Sequence, residues 1–252
     1  NTSFADIEKK ENRKDLIISI CVFLSGFSCF AQLYYFQPLL PDLAKDFILS
    51  ASESSFAISF STLGMVFGLF TTMFVADRIP RKKMIGTGLL SSSIFSVAAS
   101  FSPTFLPLIL LSAAKGFLLS GATSVLSLTV LSGTGLDVLL TGHSRVDGDF
   151  PLFIASTAIG TILLSISSAV TSFPFAAWRI ASVSIGLICA LFAILFLLFS
   201  PRSTNFMPRK ESFHTLIIAN LQLITSKALI PFYLTGGLIL GVFVSLYNYL
   251  GF

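Results

Sequence analysis

Residues 56–83 read FAISFSTLGMVFGLFTTMFVADRIPRKK. The first part of this stretch, Phe56–Ala76, carries no charged side chain, and about 20 apolar residues are enough for a helix to cross the hydrocarbon core of a bilayer. The remaining residues, 77–83, hold one acidic and four basic side chains. A strand of a transmembrane barrel would instead alternate polar and apolar residues. The stretch therefore predicts a membrane-spanning helix that ends in a short charged loop.

The composition of the whole chain agrees with this prediction. Of its 252 residues 54% are apolar and only 11% are charged, against about 25% charged in soluble domains, and the mean hydropathy is +0.88. Because so few polar side chains could not coat a soluble globule, the lipid bilayer is the expected surrounding. Lys and Arg gather in three clusters outside the apolar runs, which indicates membrane orientation and not nucleic-acid binding. Neither a cofactor nor a metal site is predicted.

The same reading, applied along the chain, predicts seven membrane segments in an all-α, multi-pass helical bundle. The segments are Leu16–Phe36, Phe56–Ala76, Met84–Phe101, Phe105–Leu131, Phe150–Thr171, Arg179–Ser200 and Ala228–Leu250. The corresponding domains are a tail at 1–15, a six-helix half at 16–200, a loop at 201–227 and a seventh helix at 228–252.

The basic residues of short loops predict the orientation, because such loops are enriched in Lys and Arg on the cytoplasmic side. They cluster in the tail, in the loop after the second segment and in the loop after the sixth. The clustered residues are Lys9, Lys10, Arg13, Lys14, Arg78, Arg81, Lys82, Lys83, Arg202, Arg209 and Lys210. The intervening loops hold only Lys45 and Arg179. The N-terminus is therefore predicted to be cytoplasmic.

Two stretches carry a family resemblance: QPLLPDLAKDF at 37–47 and ADRIPRKK at 76–83. Together they resemble the major facilitator superfamily, and within it the bacterial inner-membrane efflux permeases that exchange a small-molecule substrate for protons. The loop motif of that family reads G-x-x-x-D-R-x-G-R-K. The matching positions are Asp77, Arg78, Arg81 and Lys82, and the departures from glycine are Met73 and Pro80.

The resemblance implies a role for this charged loop. An Asp beside several Arg and Lys can form charge-assisted hydrogen bonds that hold neighbouring helices in one conformation and release them in another. Asp77, Arg78, Arg81 and Lys82 would form such a conformational latch. The alternative is that these residues only set the membrane orientation.

Lys115 is the one charged residue well inside an apolar segment. It lies ten residues after Phe105, about 15 Å along a helix, and a charge at that depth usually faces a cavity or a partner. Its surroundings, Lys115-Gly116 followed by Gly121-Ala122, resemble the family's fourth-helix motif, in which Arg takes the first place. The alternative is that the true span lies further along the chain, so that Lys115 snorkels to the surface.

Other polar and small residues recur at helical spacing. Ser25, Ser28, Gln32 and Tyr35 share one face of the first segment, and the resemblance places Gln32, Tyr35 and Lys115, together with Asn248 of the seventh segment, at the substrate cavity. Small residues that allow close helix approach recur in two segments. They are Gly64 and Gly68 in the second, and Ser112, Gly116, Ser120 and Ser124 in the fourth.

The resemblance also indicates what this chain lacks. The family has twelve helices in two halves, so the chain is expected to stop within the seventh and to miss its C-terminal half. Residues 132–150 depart from the family pattern and are either an ordinary loop or an out-of-frame stretch.

The expected function is proton-coupled export by alternating access. The main alternative is a membrane fragment that transports nothing, and a membrane enzyme is a distant third. Such a fragment is expected to expose a polar face of its first and fourth segments.

Overall fold

The structure is a computed structural model that describes residues 4–76, 78–131, 177–200 and 213–249. Within these ranges it consists of α-helices and one short 3₁₀ helix, Gln37–Leu39. The α-helices are α1 (Phe4–Tyr34), α2 (Leu40–Asp46), α3 (Ala51–Ser54), α4 (Phe56–Val75), α5 (Arg81–Ser100), α6 (Phe105–Leu131), α7 (Ala177–Phe199), α8 (Phe213–Ile224) and α9 (Ile230–Tyr249).

Helices occupy six of the seven predicted membrane segments, namely α1, α4, α5, α6, α7 and α9. The fifth predicted segment, Phe150–Thr171, lies outside the described residues, as does the unusual stretch 132–150. Three of the described helical stretches are long and apolar enough to cross a membrane: Ala51–Val75, Phe105–Ser124 and Trp178–Phe199. The chain is thus an all-α membrane bundle, as predicted.

The bundle is organised around α6, which packs against α4 on one side and α5 on the other. α5 also packs against α7, and α1 lies against α7, α6 and α5. The contact of α4 with α6 depends on glycines, since a Cβ at Gly64 would overlap the backbone of Ala113 and one at Gly116 would overlap the backbone of Ser61. The prediction that these small residues serve helix packing is confirmed.

Between α1 and α4 the chain folds back over one end of the bundle. The 3₁₀ helix and α2 begin at prolines, which fit the first turn of a helix because no backbone N–H is needed there. Leu39, Leu40 and Leu43 are fully buried. α3 is held by a capping box in which Ser50 and Glu53 satisfy each other's backbone N–H groups. This segment is an ordered cover and not a loose loop.

Two helices extend beyond the predicted boundaries. α1 begins at Phe4, inside the predicted tail, because the Glu, Lys and Arg residues that make the tail polar are also good helix formers. α8 lies inside the predicted loop 201–227. Its apolar residues recur at three- and four-residue spacing from Phe213 to Ile224, which is the pattern of an amphipathic helix.

α9 differs from the other long helices in its surroundings. Every side chain from Ile230 to Ile239 is exposed. A Cβ added at Gly236, Gly237 or Gly241 would meet no heavy atom within 4 Å. Among the described residues, therefore, nothing covers this helix.

Candidate functional site

The polar stripe of α1 lies in the interior of the bundle. Ser25, Ser28, Gln32 and Tyr35 are all fully buried, which confirms that they share one face. Gln32 Nε2 donates a hydrogen bond to Ser93 Oγ at 3.1 Å, and Ser96 Oγ donates one to Gln32 Oε1 at 3.4 Å. The Gln32 amide therefore has a partner on α5 for both its donor and its acceptor side.

Lys115 belongs to α6, and its side chain points toward the residues that follow the end of α1. Only 1% of its surface is exposed. Its Nζ is 4.3 Å from the centroid of the Tyr35 ring and 4.9 Å from that of Phe36. Such cation–π contacts stabilise a positive charge by roughly 2 kcal/mol or more where water is excluded. In this conformation the amine does not reach the surface, as snorkelling would require.

The cluster around Lys115 is rich in hydrogen-bond donors that lack acceptors. In the part of the chain that the structure describes, Lys115 Nζ makes no hydrogen bond and no ion pair, and the Tyr35 hydroxyl makes no hydrogen bond. The Ser112 hydroxyl, one turn before Lys115 on α6, is also unpaired. Buried polar groups are normally satisfied. Among the described residues, the charge of Lys115 is therefore stabilised by the two aromatic rings and not by a hydrogen-bond acceptor.

The expectation that the first and fourth segments expose a polar face is wrong for the described residues. Gln32, Tyr35 and Lys115 are buried within this chain. Serines of α5 bond Gln32, and the rings of the two residues that follow α1 contact Lys115. The structure brings these three predicted site residues together. The fourth predicted site residue, Asn248, lies in α9, and its side chain is outside the described part of the structure.

The charged loop between α4 and α5 is described in part. Asp77 lies outside the described residues. Arg78 is exposed, and Arg81 begins α5. Lys82 Nζ donates a hydrogen bond to the carbonyl of Ser200, directly after the last residue of α7. A cation at a helix C-terminus satisfies free carbonyls and complements the helix dipole. Lys82 therefore connects the start of α5 to the end of α7.

A second polar cluster lies at the opposite end of the bundle. Asp46 Oδ2 accepts a hydrogen bond from Trp178 Nε1 at 2.8 Å and lies 3.9 Å from Arg179 Nη2. Arg179 Nη1 donates to the carbonyl of Ser100 at 2.7 Å, and its guanidinium lies 4.4 Å from the Trp178 ring. These contacts join the ends of α2, α5 and α7, so they stabilise one end of the bundle.

Replacing Asp46 by Ala is expected to destabilise the chain by about 1 kcal/mol, because Trp178 Nε1 and Arg179 lose a charged acceptor that is itself partly exposed. Asp46→Asn, which still offers an oxygen to Trp178, is expected to lose less than half as much. Thermal unfolding in detergent measures both variants. Equal stability of Asp46→Ala and the wild type would contradict this role.

The sequence reasoning missed Asp46, Ser93 and Ser96. The available signals were weak: Trp178 is the single tryptophan of the chain and is followed by Arg179, and Ser91–Ser93 interrupt a predicted apolar segment. Nothing local indicates which distant residue each of these contacts. Within the described ranges there is no group of three His, Cys, Asp or Glu that could hold a metal ion.

Known proteins resemble this chain along almost its whole length. The chain is 30% identical over 244 residues to an uncharacterised transporter of Buchnera aphidicola subsp. Acyrthosiphon pisum, which covers 97% of this chain and 58% of that protein. It is 32% identical over 236 residues to the inner membrane transport protein YnfM of Escherichia coli (strain K12), covering 93% of this chain and 54% of that protein. An uncharacterised MFS-type transporter of Bacillus subtilis, YybF, is 28% identical over 233 residues.

The chain thus spans little more than half the length of these curated relatives. No solved structure matches it. Residues 19–252 match the sequence profile of the Major Facilitator Superfamily, a match that includes every described helix from α2 to α9 and about half of α1. The chain therefore belongs to the Major Facilitator Superfamily of membrane transporters.

Proposed function

We propose that this chain is the N-terminal part of a proton-coupled exporter of small molecules that works by alternating access in a bacterial inner membrane. Lys115 is the residue on which the proposal rests. It is buried at mid-helix depth, contacts two aromatic rings and has no acidic partner among the described residues. Ionisable side chains inside membranes are rare and usually belong to substrate or proton pathways.

The environment of Lys115 suits a group that gains and loses a proton. Desolvation opposes the ammonium form, whereas the rings of Tyr35 and Phe36 favour it. A modest rearrangement of α1 against α6 would shift this balance. Proton binding could in this way be coupled to a change in helix packing. Gln32 and Tyr35 would contribute hydrogen bonds to the substrate, and Asn248 would contribute one from the seventh helix.

The charged loop would act as a latch between conformations. Lys82 bonds the carbonyl that follows α7, and the family's motif places Asp77 beside Arg78 and Arg81. If these bonds form in one conformation and break in the other, they set the relative populations of the two. The remaining partners of this latch would come from a C-terminal half such as the longer relatives have room for.

Transport is tested in everted membrane vesicles that contain a version of the protein with a second half. An acid-inside gradient is recorded with a pH-quenched acridine dye, and sugars, organic anions and lipophilic cations are added in turn. At least one of these compound classes should cause protons to leave the vesicles, and only in vesicles that contain the protein. Substrate movement that leaves the gradient unchanged would contradict proton coupling.

The second candidate is a membrane fragment that folds but transports nothing. The uncovered surface of α9 favours it for this chain taken alone. The two candidates are separated by comparing the chain with the version that has a second half, because only the exporter proposal predicts proton release in the latter.

The proposed orientation, with the N-terminus and the loop after α4 on the cytoplasmic side, gives a separate prediction. A cysteine at the exposed position 83 should resist a membrane-impermeant maleimide added to intact cells, whereas one at the exposed position 45 should react. Background labelling should be low, because Cys21, Cys29 and Cys189 are all buried. Strong labelling at 83 with none at 45 would reverse the orientation.

A further inference from the structure

A crevice lies between α4 and α5. Both helices pack against α6 but hardly touch each other, and the gap between them has a volume of about 310 Å³. Its floor is formed by Phe117 and Gly121 of α6, and its walls include Thr71 of α4 and Thr87 of α5. Phe117, Thr71 and Thr87 are exposed, so the crevice is open to the surroundings of the bundle.

This crevice is separate from the cluster around Lys115. Phe117 and Gly121 lie two and six residues after Lys115, which places them on the far side of α6 from its side chain. Small residues create the space: Gly68, Gly88 and Gly121 all line it. Among the described residues the crevice therefore faces outward from the bundle, where lipid lies in a membrane protein.

One end of the crevice is basic. Ile79 and Met84 line it there, and they lie within the loop and first turn that also hold Arg78, Arg81 and Lys83. Thr87 Oγ1 donates a hydrogen bond to the Lys83 carbonyl at 2.7 Å. Residues four apart share a helix face, so the exposed Lys83 lies on the crevice side of α5, at the mouth.

We propose that this crevice binds one anionic phospholipid. An acyl chain would lie against Phe117 between α4 and α5, and the headgroup phosphate would contact Lys83. A small soluble anion would make no use of the apolar floor. A zwitterionic lipid would gain less from Lys83, because the cation of its headgroup offsets the charge of its phosphate. An anionic lipid fits both parts of the crevice. Its acyl chain contacts the apolar floor, and its headgroup is attracted to the basic mouth, as acidic headgroups are to basic residues near a membrane surface.

Native mass spectrometry tests the proposal on the purified chain after exchange into vesicles of equal parts phosphatidylglycerol and phosphatidylcholine. The wild type should retain one phosphatidylglycerol in about fivefold preference to phosphatidylcholine, as one basic residue would provide. Lys83→Gln should retain both lipids equally. Thr71→Phe, which places a ring in the crevice, should retain neither.

Matched variants control for charge and bulk. Lys45→Gln removes an exposed lysine at the other end of the bundle, and Met73→Phe adds a ring at an exposed position of α4 that does not line the crevice. Both should behave as the wild type, and circular dichroism should show the same helix content in all variants. Equal retention of the two lipids by the wild type would overturn the proposal, as would displacement of the lipid by excess inorganic phosphate. If Thr71→Phe does not fold, the lipid preference of Lys83→Gln decides.

Discussion

Replacement of Lys115 by Met is expected to reduce proton-coupled transport by about 100-fold or more, the scale on which loss of a proton-transfer group acts, in a version of the protein with a second half. Met fills nearly the same space and keeps contact with the rings of Tyr35 and Phe36, but it binds no proton. Membrane insertion should be unchanged or better, because a Lys near a helix centre costs about 2.5–3.5 kcal/mol on insertion scales.

Lys115→Arg separates proton coupling from substrate binding. Arg keeps the positive charge but does not release its proton in proteins. We expect this variant to exchange labelled substrate across the membrane while its dependence on the pH gradient is lost. Counterflow and gradient-driven uptake measure the two activities. Lys45→Met, at an exposed position, serves as the control. Gradient-driven transport at the wild-type rate in Lys115→Met would refute a role of this residue in coupling.

Replacement of Gly64 by Leu should cause the largest loss of stability, about 3 kcal/mol, at the upper end of the typical cost of overpacking. A Cβ at this position would lie 2.7 Å from the Ala113 carbonyl carbon and 2.9 Å from its Cα. Both atoms belong to the backbone of α6, which cannot move aside as a flexible side chain could. α4 and α6 would therefore have to separate along their shared contact.

Gly237→Leu is the matched control for this substitution. Gly237 lies in α9, and no heavy atom is within 4 Å of an added Cβ. Leu is also the better helix former, by about 0.5–1 kcal/mol, so this variant of the chain should be as stable as the wild type. Thermal unfolding in detergent compares the two. If the Gly64→Leu protein unfolded at the same temperature as the wild type, α4 and α6 would not approach each other as described.

The helical architecture followed from the sequence because its signals are local. An uncharged run such as Phe56–Ala76 must satisfy its backbone hydrogen bonds internally in lipid, and a helix does so within one segment. Spacing along one helix was equally informative. The stripe from Ser25 to Tyr35 and the small residues at Gly64 and Gly116 lie on the faces that their periodicity predicts. The family followed from two short stretches taken together, at 37–47 and at 76–83.

The environment of the site was decided by tertiary structure. Gln32 meets Ser93 and Ser96 across more than sixty residues of chain, and Asp46 meets Trp178 across 132. A helix period states which residues share a face but not which helix that face contacts. The polar face of α1 and α6 was expected at the surface because the resemblance implied that a second half would cover it, and it is found buried within this chain. Lys115 was notable from sequence because a charge in an apolar run is costly, but only the packing of α1 against α6 shows that aromatic rings, and no described carboxylate, surround it.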